Sequence, residues 1–230
     1  VATTREAAPQ RFTGWPEEAF AFFAGLEADN SRTYWLEHKA VYESAVKRPF
    51  VLLSEAVAAS HSELLLFRPH RDVRFSKDKS PYKTAAGALG EREGGATYYV
   101  QLSAEGLMVG AGMYDLAPDQ LARFRAAILD DATGPELASV ADRLEGAGYA
   151  LGALHTLKTA PRGIPKDHAR IGLLRRKGLI ISRSFPRASW MHTAKALDRI
   201  VAVWTDAEPM QAWLERHVGP STLPPPEFGR

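Results

Sequence analysis

From Arg71 to Lys83 the chain reads Arg-Asp-Val-Arg-Phe-Ser-Lys-Asp-Lys-Ser-Pro-Tyr-Lys, with cations and carboxylates alternating around Phe75 and Tyr82. In strand geometry Asp72, Arg74 and Ser76 share a face, because side chains alternate with a period of two. Beyond Ser76, the run Lys77-Asp78-Lys79-Ser80-Pro81 has the composition of an ordered turn whose exit Pro81 fixes. Such a segment could cradle an oxyanion. Arg71 or Arg74 would supply a planar, bidentate donor fork, and Lys77, Lys79 and Lys83 would act as point charges. Asp72 or Asp78 would orient an arginine, hold a metal or act as a base, which makes Asp72 the candidate catalytic group. Ser76 sits among the cations, and Tyr82 with Tyr98 or Tyr99 could stack on a ligand. The alternative is a solvated strand and loop whose Arg–Asp pairs satisfy one another.

The charge balance singles out a second segment. Net charge is only +2. Yet residues 68–83 hold six basic side chains against Asp72 and Asp78, and residues 158–187 hold nine against Asp167 alone. Charge of one sign gathered over a surface attracts ions of the other. Arg162, Lys166 and His168 are therefore expected to form a second positive wall facing Arg71 and Arg74.

Arg71–Lys83 resembles the central signature of a family of bacterial and fungal proteins known as domain of unknown function 2461. The resemblance extends upstream through Asp29-Asn30, Trp35, Tyr42 and Pro49. Downstream it takes in Tyr98-Tyr99, Gly110-Ala111-Gly112-Met113-Tyr114 and Pro161-Arg162-Gly163…Lys166-Asp167-His168. It departs from the family pattern at Asp29, where asparagine is expected, and at Ala85, where a larger residue is expected. Spanning roughly residues 12–218, it implies one domain over 1–230, with a polar N-terminal tail and a Pro-rich C-terminal tail. It implies no particular activity. Both basic segments coincide with its motifs, as they would if they converged.

The elements that must position these residues read as an α+β protein: a largely antiparallel sheet with a central hairpin, packed against N-terminal and C-terminal helices. Pro16 suits a first helical position, and Trp15, Ala19, Phe22 and Leu26 follow at helical spacing. Asp29-Asn30-Ser31 breaks that helix and caps a second, carrying Trp35, Tyr42 and Val46 until Pro49 interrupts. A third runs over 49–60. Leu64–Ser76 reads as a strand. Thr97–Ser103 and Gly106–Tyr114 alternate around a short turn and form the clearest hairpin. Helices follow near 118–130 and 135–147. Strands at 154–158 and 179–183 flank a short helix near 168–176, and helices near 189–204 and 209–217 complete the chain. Residues 1–10 and 221–230 read as loose ends.

Other chemistry finds little support. The chain has no cysteine and its seven histidines show no ligand spacing, so no metal site is assigned; a cofactor is not identified. Gly110-Ala111-Gly112 lacks the third glycine and the βαβ context of a dinucleotide site, and close packing in the hairpin explains it better. The longest apolar runs fall far short of the ~20 residues of a membrane helix. Residues 1–10 do not resemble a secretory leader, so a soluble, cytoplasmic protein with no membrane partner is expected. Three functions compete. The first is a binder of, or enzyme acting on, a small phosphorylated or carboxylated ligand. The second is a module that grips nucleic-acid backbone. The third is a non-catalytic interaction protein whose Arg–Asp network is structural.

Overall fold

The computed structural model describes residues 11–74 and 77–224. The chain opens with α1 (Glu17–Ala28), where Pro16 is the N-cap and Glu17 and Glu18 face the positive end of the helix dipole. Helix α2 (Arg32–Val41) starts at Ser31, whose hydroxyl accepts from the Tyr34 N–H at 3.1 Å. The break expected at Pro49 does not occur. A π turn over Tyr42–Lys47 carries the chain straight into α3 (Arg48–Val57), with Pro49 in its first turn. Proline cannot donate backward and its ring presses on the carbonyl four residues earlier. The wider π turn absorbs both, and the helix runs on.

Six strands follow among the described residues: β1 (Leu65–Leu66), β2 (Ala85–Glu91), β3 (Thr97–Ser103), β4 (Gly106–Met113), β5 (Ala150–Gly152) and β6 (Leu179–Pro186). They pair antiparallel throughout, in the order β1-β2-β3-β4-β6-β5. Between them lie α4 (Pro118–Leu129), α5 (Thr133–Gly146) and α6 (Ile171–Leu174), and α7 (Lys195–His217) closes the fold. The expected α+β class and the β3–β4 hairpin are present. Gly106 makes that hairpin turn at φ +141°, where an added Cβ would meet the Phe185 carbonyl oxygen at 2.1 Å. Gly112 is likewise at φ +130° with the Leu179 carbonyl close by, so close packing accounts for that glycine pair.

One face of the sheet is covered. Tyr98, Val100, Leu102, Val109, Ala111 and Ile181 are buried there in a continuous cluster with Trp204, Trp213, Phe20 and Phe23 from the helices. The indole N–H of Trp204 donates to the Gly110 carbonyl at 3.1 Å, which fixes α7 on the middle strands. The other face carries Tyr99, Gln101, Met108, Ile180 and Ser182, all half-buried, and among the described residues no helix side chain lines the hollow there. That uncovered face is where the site is built.

Several expectations need correction. The strand expected over 64–76 is two residues long. The one expected at 154–158 is a single bridge between Thr156 and Arg176, and the strand lies earlier, at β5. Strand β2 (Ala-Ala-Gly-Ala-Leu-Gly-Glu) has almost no β-forming side chains, and its place comes from the ladders on either side. The helices expected at 189–204 and 209–217 are one, α7, running through Pro209 after a short 3₁₀ turn at Ser189–His192. The C-terminal stretch is tied down at its start. Asp119 accepts from the Ser221 hydroxyl at 2.8 Å and the Thr222 N–H at 2.9 Å. Residues 1–10 and 225–230 lie outside the described residues. No helix among the described residues is long and apolar enough to cross a membrane.

Candidate functional site

The basic segment after β1 is an arm. Its two sides pair as they leave the sheet. Phe67 N–H donates to Gly87 O at 2.9 Å, Lys83 N–H to Pro69 O at 2.8 Å and Arg71 N–H to Pro81 O at 2.9 Å, with His70 bridging to Tyr82. A side-chain amide holds this stem to the helices. Asn30 donates through Nδ2 to the Tyr82 carbonyl at 3.1 Å and accepts from the Tyr82 N–H through Oδ1 at 3.0 Å. Together the two bonds imitate one rung of a β-ladder. The Tyr82 ring stacks flat on Trp35, with centroids 4.6 Å apart and planes 10° off parallel, and Trp35 rests on Tyr42 at 4.9 Å. Tyr82, grouped with the ligand-binding side chains by the sequence, is thus buried against Trp35 and mounts the arm. Asp29, by contrast, is exposed and lies outside this clamp.

The tip of the arm is cross-linked by its own charges. Asp72 pairs with Arg74 at 2.8 Å and accepts from the Arg74 N–H at 3.1 Å, which bends the backbone where a strand was expected. The Arg74 side chain, then its N–H, holds the Asp72 carboxyl down at about 2. A carboxylate so acidic is poorly matched to base catalysis near neutral pH. Arg71 pairs with Asp78, which also caps the Ser80 N–H at 2.9 Å, and Lys79 donates to the Val73 carbonyl at 2.9 Å. Lys77 is exposed. Phe75 and Ser76 lie outside the described residues.

At the base of the arm the charges are differently disposed. Lys83 is half-buried with its ammonium 5.4 Å from the centroid of the Phe67 ring. Neither Lys83 nor Arg68 has a carboxylate at ion-pair distance among the described residues. Burial, then the nearby Arg68 and Arg71, holds the Lys83 ammonium below its ordinary pKa.

On the other sheet face opens a hollow of about 360 Å³, bordered by the Phe67 ring that Lys83 overlies. Phe67 and Tyr99 flank it at the arm side, with ring centroids 6.3 Å apart. Met108, Tyr114, Ile180 and Ser182 border it across β4 and β6. Gly110 lies in its floor, where an added Cβ would come within 2.9 Å of the Ile181 carbonyl, while the Tyr99 phenol already packs over Gly87. Tyr99 donates to Gln101 Oε1 at 2.9 Å, and burial, then Tyr114, pushes its phenol upward. Of the two adjacent tyrosines, Tyr99 faces the hollow and Tyr98 the core.

From Arg162 to Arg176 the second basic segment does not join the first, and Arg187, which ends it beside Gly106, pairs with Glu17. Register settles this. The arm leaves the sheet where β2 begins, at the end shared by Ser103, Gly106 and Pro186. Residues 153–178 link β5 to β6 at the other end, where Leu179 faces Met113, and on the far flank. Strand spacing and rise separate the two corners by roughly 25 Å. Arg162 and Lys166 are exposed there, and His168 Nδ1 accepts from the Arg170 N–H at 3.0 Å, so no second wall faces Arg71 and Arg74. The arginines of this segment staple backbone. Arg170 donates to the Ile128 carbonyl at the end of α4 at 2.7 Å, Arg175 to Leu157 O at 2.6 Å and Arg176 to Leu151 O at 3.0 Å. Arg183 lies 3.8 Å over the Tyr149 ring.

A further network escaped the sequence reading because its members are scattered. Arg92 reaches both Glu208 carboxylate oxygens at 2.9 Å and Glu215 at 2.7 Å, and Tyr98 donates to Glu208 at 2.7 Å. Burial, then that Glu208 bond, pushes the Tyr98 phenol up to about 12. It ties the β2–β3 turn to α7.

The architecture is thus that of an α+β protein with a six-stranded antiparallel sheet, helices on one face, and a clamped cationic arm beside the open one. The chain belongs to the family described as Conserved hypothetical protein (DUF2461), whose model matches residues 18–213 and so includes clamp, arm, sheet and most of α7. Comparisons with curated proteins and with solved structures return no match.

Proposed function

We propose that this protein binds a small carboxylated or phosphorylated ligand at the base of the arm, with Lys83 and Arg68 as the receiving cations and Arg71 beside them. The observation that carries this reading is the half-buried Lys83 ammonium, without a carboxylate partner among the described residues, set in a cationic neighbourhood over Phe67, which borders the hollow. Like charges gathered with no carboxylate paired to Lys83 or Arg68 destabilise one another, and an anion between them relieves that cost. The tip residues Arg74, Lys77 and Lys79, with the carboxylates Asp72 and Asp78, would frame the entrance. Binding rather than catalysis is favoured, because Asp72 is already committed to Arg74. A nucleic-acid backbone calls for a continuous positive track, and two basic corners on opposite sides of a sheet do not supply one. The lack of cysteine accords with a cytoplasmic setting.

Thermal unfolding in the presence of a panel of phosphorylated and carboxylated metabolites tests the reading. A ligand at 100-fold its dissociation constant adds ~2.7 kcal/mol, or about 5–10 °C for a chain of this size. The double variant Lys83→Met, Arg68→Met should lose that shift while keeping its own melting temperature. If no anion shifts the melting temperature of the wild type, the reading fails.

A further inference from the structure

We propose that the hollow on the open sheet face takes an apolar body carried by that ligand, so that the natural ligand is an amphipathic anion with a single acidic group, an alkyl or aromatic carboxylate or phosphate monoester. The inference rests on the anion-binding reading above and narrows it to a chemical class.

Three features of the site lead there. The hollow's volume, about 360 Å³, lies within the ~300–1,000 Å³ of small-molecule sites, and its border is chiefly apolar: Phe67, Tyr99, Met108, Tyr114 and Ile180. Gly110 puts no side chain into that space from the middle of β4. The charge lies to one side, since Lys83 stands over Phe67, itself part of the border. Such a site is matched by a molecule that is anionic at one end and apolar along the rest. A bare polyphosphate would leave the trough empty, and a neutral hydrocarbon would leave Lys83 unanswered. Added protein strands are poorly served here, because the nearby sheet edge, β1, offers only two residues for pairing.

The polar side chains in the trough fit the same class. Gln101 is engaged by the Tyr99 hydroxyl, so its amide N–H remains to meet a polar atom partway along the ligand. Ser182, on the β6 side, is half-buried and small enough for a larger residue to be placed there without touching the cations.

A chain-length series reads this out. Binding of acetate, butyrate, hexanoate and octanoate, with octanol and inorganic phosphate as controls, is followed by calorimetry below micelle-forming concentrations. Each methylene entering the hollow should tighten binding about three- to fourfold. Ser182→Leu, which occupies the trough, should weaken octanoate at least tenfold and leave acetate and phosphate as they were. Lys83→Met should weaken every anion. If octanoate binds no tighter than acetate, or Ser182→Leu leaves the series intact, the hollow is not the body site, while the anion-binding reading stands. If octanol binds as tightly as octanoate and Lys83→Met changes nothing, the anion reading itself falls, and this inference with it.

Discussion

Removing the Asn30 side chain should unlatch the arm. Its amide makes both bonds to Tyr82, at 3.1 and 3.0 Å, from a position 52 residues away in the chain. A hydrogen bond contributes ~1 kcal/mol net, and a desolvated backbone group left without a partner costs ~1–3 kcal/mol. Asn30→Ala should therefore cost about 2–3 kcal/mol, lowering the melting temperature by about 5–10 °C if the arm unfolds with the rest. If it opens alone, the Tyr82 and Lys83 amides should exchange hydrogen about 30- to 150-fold faster, the same free energy read locally. Asn30→Asp gives the sharper control. It keeps an acceptor for the Tyr82 N–H but sets a carboxylate oxygen against the Tyr82 carbonyl, so it should be at least as damaging at neutral pH. That carboxyl would carry a pKa raised above ~3.9, because only its protonated form can donate. A raised folded value contributes stability that is present at low pH and lost as pH rises through it, so this variant alone should gain on wild type under mild acid. Differential scanning calorimetry and amide exchange measured across pH 4–7 decide the matter. If Asn30→Ala melts within about 1 °C of wild type and the two amides keep their protection, the clamp does not hold the arm.

Other consequences can be checked independently. Burial holds His61 below its ordinary value near 6.5, opposed by Glu208 and reinforced by Arg92. A depressed value means that stability is intact above 6.5 and declines as pH falls toward the folded value; His61→Phe should flatten that decline in urea melts over pH 5–7.5. Gly106→Ala forces a Cβ against the Phe185 carbonyl at a backbone angle L residues avoid, and should cost ~1–3 kcal/mol by chemical denaturation. The lowered Lys83 value leaves more of it as free amine, so an acylating reagent at pH 8 should modify it faster than Lys47, which is paired with Glu43 at 2.8 Å.

What could be read in advance followed how local its cause was. The β3–β4 hairpin and the stripe of α1 announce themselves by period, because each residue's burial depends on near neighbours. Strand β2 does not, since Ala85–Glu91 is extended only because β1 and β3 lie beside it. Pro49 and Pro209 look like breaks because the cost of a proline is local, whereas the π turn and the packing of α7 that offset it are not. The arm stood out by composition, yet its clamp came only through the resemblance. Nothing in an isolated Asn30 or Trp35 says that Tyr82 completes it. The supposed second wall failed for a related reason. Counting charge reveals neither the end of a strand from which it departs nor the carbonyls that already employ Arg170, Arg175 and Arg176. The hollow was invisible because it lies between side chains of separate strands, over a position, Gly110, that contributes none.

The most direct measurement is a single octanoate titration with two reporters: the methyl of Met108 in the trough, and reductively ¹³C-methylated Lys83, which keeps its charge. Both should shift with one half-saturation point, and the pKa of Lys83 should rise on binding. If the two saturate at different concentrations, or if Lys83 keeps its value while Met108 responds, the cation and the hollow do not form one site.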